Sequence, residues 1–196
     1  KRFVCNKFVG EWGELRGLIL QNWEIKEVST DHNDYDSIAI GQDFGFNHAN
    51  AILILGIKDD DLYILDEIYE YEKESNELIE IANKRDLPRD KELWCDSAEP
   101  DRIKMWQKAG YYAKPVSKEQ NSVKAQIDWL KGRKIYVHPH CVNTIRELQQ
   151  WKWKYDDVRD IQLDTPVDFF DDAMAALRYG IEGWRKQKRA IILSKY

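Results

Sequence analysis

The order of apolar patterns along the chain is the sequence feature that most constrains its fold. Ile38 and Ile40 alternate with other residues up to Asp43, which predicts a first strand over Ser37–Asp43. Two apolar runs, AILILGI and LYILDEIY, flank the charged turn at residues 58–61 and predict a hairpin. The chain therefore opens its folded part with three consecutive strands that form a meander.

Helices and strands alternate after this meander. Apolar residues three or four positions apart mark each helix, and short apolar runs mark each strand. The predicted order is a helix containing Leu78, Ile79 and Ala82, a strand at 92–97, a helix from Pro100 ended by Gly110, a strand at 112–116, a helix containing Val123, Ile127 and Leu130, a strand at 134–139, a helix containing Val142, Ile145 and Leu148, and a last helix from near Asp171 to Trp184. This order predicts an α/β protein with a mixed central sheet and helices on both faces. It matches the RNase H-like fold.

The chain length favours one domain, which we expect over residues 36–187. Residues 1–35 lack a sustained pattern and are expected to form an irregular connector, and residues 188–196 a basic C-terminal tail. A chain that begins at Lys1 is expected to be a fragment. No apolar run approaches the roughly 20 residues that a membrane span needs. The three cysteines have no metal-binding spacing and predict reduced thiols.

The net charge of −5 argues against a nucleic-acid ligand, but the charge is unevenly distributed. Residues 102–134 carry a net charge of +7, whereas residues 59–80 carry −9. One basic face could therefore bind a polyanion, although solvated surfaces give the same pattern. Lys118 and Lys124, on either side of a loop, are the candidate phosphate-binding side chains.

Four aspartates are predicted to lie where strands end or helices begin. Asp43 closes the first strand, Asp96 closes a later strand, and Asp171 and Asp172 open the last helix. If the later strand runs parallel beside the first, Asp43 and Asp96 lie close together. The last helix could then bring Asp171 or Asp172 to the same point.

Clustered carboxylates repel one another unless a hard cation neutralises them, so these oxygen ligands favour Mg²⁺ or Mn²⁺. Two such ions about 4 Å apart can activate water and stabilise the leaving oxygen of a phosphodiester. Each acid also has an ordinary structural interpretation. Asp43 could be a turn residue, Asp96 could start a helix, and Asp171 and Asp172 could be N-caps.

The chain resembles the C-terminal nuclease domain of the large terminase subunit of tailed bacteriophages. The segments that carry the resemblance are GEWGELRGLIL, IGQDFGFNHANAILIL, CDSAEP, KEQNSVKAQIDWLKGRKIYVHPHC and DFFDDAMAALRYG. They occur in the family's order from about Gly10 to Trp184, and this order is more specific than any one of the motifs.

The resemblance implies a metal-dependent endonuclease that cleaves concatemeric viral double-stranded DNA during genome packaging in the cytoplasm of a bacterial host. Its two Mg²⁺ or Mn²⁺ ions would be held by Asp43, Asp96 and the pair Asp171 and Asp172. The implied partners are double-stranded DNA and, in the full-length protein, the terminase small subunit and the portal or procapsid. No G-x-x-x-x-G-K-[ST] motif occurs, so residues 1–35 would lead from an ATPase domain outside this sequence. The fragment is expected to be a monomer that does not bind membranes.

The last motif departs from one pattern of the family. Many relatives carry H-x-x-D followed by A-x-R-Y, and aligning the latter places Asp172 at the His position and Ala175 at the Asp position. Other branches carry a paired Asp-Asp, which this chain resembles. The third ligand is therefore open between Asp171 and Asp172, with Asp168 a distant candidate. Because Ala175 offers no carboxylate, two alternatives stay open: a weakened metal site, or a site that binds metal only when DNA is present.

Two other functions fit parts of the sequence. A Holliday-junction resolvase or transposase-like nuclease would share the fold and would prefer branched DNA to linear duplex. A non-catalytic docking or DNA-binding module would use the aspartates only as solvated or capping residues. Divalent cations should stabilise an enzyme with a carboxylate cluster but not this module, because only the cluster binds them.

Overall fold

A computed structural model describes residues 17–45, 48–117 and 122–193 of the chain. The strands in these residues are β1 (Trp23–Ile25), β2 (Ser37–Asp43), β3 (Ala49–Lys58), β4 (Asp61–Tyr71), β5 (Glu92–Cys95), β6 (Tyr112–Pro115), β7 (Ile135–Val137), β8 (Trp153–Asp156) and β9 (Ile161–Pro166). The helices are α1 (Ser75–Lys84), α2 (Pro100–Lys108), α3 (Ser122–Lys131), α4 (Val142–Gln150) and α5 (Asp172–Leu193). Among the described residues, no helix has both the length and the apolar character needed to cross a membrane.

Seven strands form one mixed sheet in the order β1-β7-β4-β3-β2-β5-β6. β2, β3 and β4 are antiparallel neighbours, which confirms the predicted meander. β5 runs parallel to β2, β6 runs parallel to β5, and β7 runs parallel to β4. The strand that ends at Asp43 therefore lies inside the sheet, between β3 and β5.

Two aspartates form the turn between β3 and β4. Asp59 and Asp60 have φ angles of 51° and 67°. A two-residue turn with positive φ at both positions matches the right-handed twist of the strands that it joins, and Asp tolerates this conformation better than most residues. The predicted hairpin is confirmed.

Helices cover both faces of the main sheet, as predicted. On one face, Leu78 of α1 and Trp106 of α2 pack into an apolar cluster with β2, β3 and β5. On the other face, α3, α4 and α5 contribute Ile127, Leu148 and Leu177 to a second cluster. Burial of apolar surface on both sides is the main favourable contribution to the stability of such a sheet.

The prediction of an irregular N-terminal connector is wrong for part of residues 1–35. Trp23–Ile25 form β1, which pairs in parallel with β7 at one edge of the main sheet. Ile19 and Leu20 are buried in the same core cluster as α5. A three-residue strand shows too little alternation to be recognised in a sequence, which explains the error.

The sequence predicted no strands between α4 and α5, but β8 and β9 form an antiparallel hairpin there. Every residue of these two strands is at least partly exposed, so neither face carries the regular apolar alternation of a half-buried strand. The backbone of α5 continues to Leu193, so most of the predicted tail at residues 188–196 is helical.

At one point, α5 packs directly against the backbone of β2, with no side chain between them. A Cβ atom on Gly41 would lie 1.9 Å from the carbonyl oxygen of Ala176 and 2.6 Å from the amide nitrogen of Gly180. A Cβ atom on Gly180 would in turn lie 3.0 Å from the backbone nitrogen of Gly41. Two facing glycines therefore allow α5 to approach the strand that carries Asp43.

Replacing Gly41 with Ala should displace α5, because the added methyl group meets backbone atoms that cannot rotate away. We expect a loss of about 3 kcal/mol or more in the free energy of unfolding, measured by urea denaturation. Gly132→Ala is the control, since its Cβ would lie 3.6 Å from the nearest atom outside its immediate neighbours. Equal stability of the two variants would contradict the close packing of α5 on β2.

Candidate metal centre

Asp43 and Asp96 lie at the ends of adjacent strands. Asp43 is the last residue of β2, and Asp96 directly follows β5. The two strands run parallel with Gln42 opposite Cys95, so the aspartates are the next residues in register. Since α2 begins only at Pro100, Asp96 does not start that helix.

Asp96 is connected to α5 through a tyrosine. Its Oδ2 accepts a hydrogen bond from the hydroxyl of Tyr179 at 3.3 Å, and its Oδ1 accepts one from the backbone N–H of Ala98 at 2.8 Å. Tyr179 lies in a small apolar cluster with Val116 and Ala175. Ala175 therefore contributes packing at the position where the H-x-x-D pattern has an acid.

The N-terminus of α5 is capped by a glutamate from α4. Glu147 is 1% exposed, and its Oε2 accepts a hydrogen bond from the backbone N–H of Met174 at 3.0 Å. The backbone N–H of Ala173 also bonds to this carboxylate. These are the donors that an N-cap side chain normally satisfies. The carboxylates of Asp171 and Asp172 are consequently not needed as caps.

Tyr69 on β4 connects Glu147 to Asp172. Its hydroxyl oxygen lies 2.7 Å from Oε1 of Glu147 and 3.2 Å from Oδ2 of Asp172. Burial raises the pKa of Glu147 to about 7, and burial also raises the pKa of Tyr69. A buried carboxyl group, a phenol and a second carboxyl group thus form a continuous chain that ends at the candidate site.

Asp43 is the acid most strongly affected by its surroundings. Burial raises its pKa to about 8, and the charges of Asp96, Asp172 and Asp171 act in the same direction. The guanidinium of Arg178 opposes this shift. The four acids that the sequence predicted as ligands are therefore brought close enough to interact electrostatically.

Asp171 and Asp172 face different surroundings. Burial raises the pKa of both carboxyl groups, and the charge of Asp172 adds to the effect on Asp171. Asp171 borders a groove of about 890 Å³ between α3, β9 and α5. Arg178 also lines this groove and donates a hydrogen bond to Oε1 of Gln126 at 3.3 Å. The groove offers an open approach to Asp171 from one side.

Of the three other candidate site residues, the structure describes Lys124 and Asp168. Lys124 lines the groove and forms an exposed ion pair with Asp164. Lys118 lies outside the described residues. Asp168, the distant candidate for the third ligand, is exposed and forms an ion pair with Lys154 at 2.5 Å.

The four acids fit a hard divalent cation by their charge and donor chemistry. They offer only carboxylate oxygens, which suit Mg²⁺ or Mn²⁺, and a bound cation would relieve the repulsion that raises the pKa of Asp43. In the part of the chain that the structure describes, however, no three His, Cys, Asp or Glu side chains form a group that could already hold a metal ion. A cation could be bound by these acids only if their side chains moved.

Arg102 organises the loop that follows Asp43. Its guanidinium donates hydrogen bonds to Oδ1 of Asn50 at 2.8 Å and to the carbonyl of Gly45 at 3.3 Å. Its Nε donates to Oγ of Ser75 at 3.0 Å. One arginine on α2 thus connects the end of β2, the start of β3 and the start of α1.

Sequence analysis did not single out Tyr69, Glu147, Arg102 or Arg178. One signal could have found Glu147, because it shares the buried face of α4 with Thr144 and Leu148. An acid on the apolar face of a predicted helix requires a buried partner. The roles of the other side chains depend on contacts between distant parts of the chain, so no local pattern marks them.

The topology of the sheet is that of the RNase H-like fold, as comparison with solved structures confirms. The nuclease domain of the g2p large terminase from bacteriophage SPP1, solved with bound Mn, is similar over 83% of this chain and 97% of that chain, with a TM-score of 0.75 and 20% identity. The large terminase nuclease domain of phage P22 covers 87% of this chain at a TM-score of 0.64 and 18% identity, with 93% of that domain covered. The large terminase nuclease of thermophilic phage G20c, solved with bound magnesium, covers 73% of this chain at a TM-score of 0.53 and 16% identity, with 79% of that chain covered.

Residues 43–183 match the family described as the terminase RNAseH like domain. The match spans more than half of the chain, so the chain belongs to this family. No curated protein sequence matches it. The predicted family and fold are both confirmed.

The raised pKa of Asp43 gives stability a defined pH dependence in EDTA. The folded state retains a proton that the unfolded state loses near pH 4, so the free energy of unfolding should fall as pH rises from about 4 to about 8. Asp43→Asn removes this effect and should be more stable than the unchanged chain by about 2 kcal/mol or more at pH 8.

The measurement is urea denaturation at several pH values, with Asp101→Asn on the exposed face of α2 as the control. The gain from Asp43→Asn should increase between pH 5 and pH 8 and stay constant above that range. A gain that does not change with pH would mean that Asp43 is not protonated in the folded state.

Proposed function

We propose that this domain is a Mg²⁺- or Mn²⁺-dependent endonuclease that cleaves concatemeric viral double-stranded DNA during genome packaging. The observation that carries the proposal is the convergence of Asp43, Asp96 and the first turn of α5 where β2 and β5, two inner strands of an RNase H-like sheet, end. Membership of the terminase family supports the same function.

Asp43, Asp96 and the pair Asp171 and Asp172 are the proposed metal ligands. When bound there, two divalent ions would supply an activated water and stabilise the departing oxygen of the phosphodiester. The chain itself contributes the ends of the paired strands β2 and β5, the capped start of α5, and Arg178 beside the acids. A phosphodiester could reach the acids along the groove that Arg178 lines.

We also propose the remaining features that the family resemblance implies. Residues that precede β1 would lead from an ATPase domain outside this sequence into the nuclease domain. In the full-length protein, the terminase small subunit and the portal or procapsid would be partners. The site of action would be the host cytoplasm, and the isolated domain would be a monomer.

Plasmid cleavage tests the proposed activity. Supercoiled plasmid should be nicked and linearised with Mn²⁺ or Mg²⁺ but not with EDTA, because the acids cannot act without a cation. Asp43→Ala and Asp96→Ala should each reduce the cleavage rate by about 100-fold or more while the fold is retained by circular dichroism.

Asp101→Ala serves as the control, since its exposed carboxylate only pairs with Lys104 on the same helix. Cleavage by Asp43→Ala at the rate of the unchanged chain would overturn the assignment. A Holliday junction cut much faster than linear duplex would favour a resolvase. Failure of the folded domain to cut with any cation would favour a docking module.

Lys124 is proposed to contact a DNA phosphate, because it lines the groove beside the acids. Lys124→Ala should weaken duplex binding and lower the slope of log affinity against log salt by about 1, measured by fluorescence anisotropy with Ca²⁺. Asp164→Asn releases the lysine from its ion pair and should strengthen binding. Unchanged salt dependence in both variants would exclude this contact.

A further inference from the structure

We propose that Tyr69 and Glu147 are positioning residues that hold the Asp172 carboxylate for metal binding, so that Asp172 rather than Asp171 is the third ligand. This inference rests on the proposed function, because it concerns the same metal site. It adds two residues that lie behind the ligands and an assignment within the aspartate pair.

The sheet places Tyr69 on the same face as Asp43. In the antiparallel register, Asp43 of β2 lies opposite Ala51 of β3, and Ala51 lies opposite Tyr69 of β4. Residues that are directly opposite in such a ladder project to the same side. The small side chain of Ala51 leaves space between the aspartate and the tyrosine, and the first turn of α5 carries Asp172 to the Tyr69 hydroxyl.

Glu147 fixes the tyrosine hydroxyl and the helix at the same time. One carboxylate oxygen lies 2.7 Å from the Tyr69 hydroxyl, while the other accepts the backbone N–H of Met174 at 3.0 Å. Both contacts are held by a side chain that is 1% exposed, on a helix packed against the core. Glu147 therefore holds both the helical turn that carries Asp172 and the hydroxyl group that contacts the Asp172 carboxylate.

Asp171 lacks this support and points to a different environment. It lines the groove together with Arg178, whereas Asp172 contacts Tyr69. Asp172 is thus the member of the pair that contacts Tyr69 and, through it, the buried Glu147.

Hydrogen bonds from outer residues orient metal-binding carboxylates, and their loss costs about 10- to 100-fold in metal affinity. Tyr69→Phe removes only the hydroxyl group. We expect this variant to bind Mn²⁺ about tenfold more weakly, measured without DNA from the electron paramagnetic resonance signal of free Mn²⁺. The Mn²⁺ concentration for half-maximal plasmid cleavage should rise by a similar factor.

Thr144→Val is the matched control for lost stability. The Thr144 hydroxyl donates a hydrogen bond of 2.6 Å to Glu67, a buried glutamate that caps α4 as Glu147 caps α5. Each variant therefore removes one hydroxyl group that contacts a buried capping glutamate, but only Tyr69→Phe also removes a contact with Asp172. Both should lower the melting temperature in EDTA, and only Tyr69→Phe should weaken Mn²⁺ binding.

A second pair of variants tests the ligand assignment. Asp172→Asn should reduce Mn²⁺ affinity more than Asp171→Asn does, and Tyr69→Phe should still weaken binding in the Asp171→Asn background. The opposite order for the two aspartates would overturn the assignment. Equal effects of Tyr69→Phe and Thr144→Val on Mn²⁺ affinity would reduce Tyr69 to a structural role.

The two proposals can fail separately. If the unchanged domain binds Mn²⁺ and cuts plasmid but Tyr69→Phe does so equally well, the positioning role is wrong and the nuclease stands. If the unchanged domain neither binds Mn²⁺ nor cuts DNA, the proposed function is wrong and the positioning role falls with it.

Discussion

The contact between Gly41 and Gly180 is the packing constraint on which the rest of the site depends. It allows α5 to lie against the backbone of β2, so that the helix begins next to the strand end that carries Asp43. The same helix brings Tyr179 to Asp96, which follows the neighbouring strand. A wider separation between α5 and the sheet would move the aspartates of the helix away from those of the strands.

This packing brings together carboxylates whose negative charge is not fully neutralised by the cationic side chains of the protein. The pKa of Asp43 is raised because burial and three nearby carboxylates all disfavour its ionised form, and Arg178 offsets only part of this cost. Such an arrangement lowers the stability of the empty domain at neutral pH. A divalent cation bound there would have a large favourable interaction, because it would replace repulsion with attraction.

The sequence was sufficient to predict the meander, the alternating helices and strands, and the position of the four aspartates at strand and helix ends, because each has a local signature. Short or exposed elements such as β1, β8 and β9 lack such a signature, since no apolar alternation marks them. The supporting residues could not be predicted either. Tyr69 and Glu147 are separated by 78 positions, and only the packing of α4 beside β4 brings them into contact. The choice between Asp171 and Asp172 depends on this contact, so the sequence left it open.

The two capping glutamates link three elements of the fold in series. Glu67 projects from β4 and caps α4, and Glu147 projects from α4 and caps α5. The side-chain cap of α5 is therefore complete only when α4 lies in place beside β4. The four aspartates come from distant parts of the chain, so only the folded domain brings their charges together.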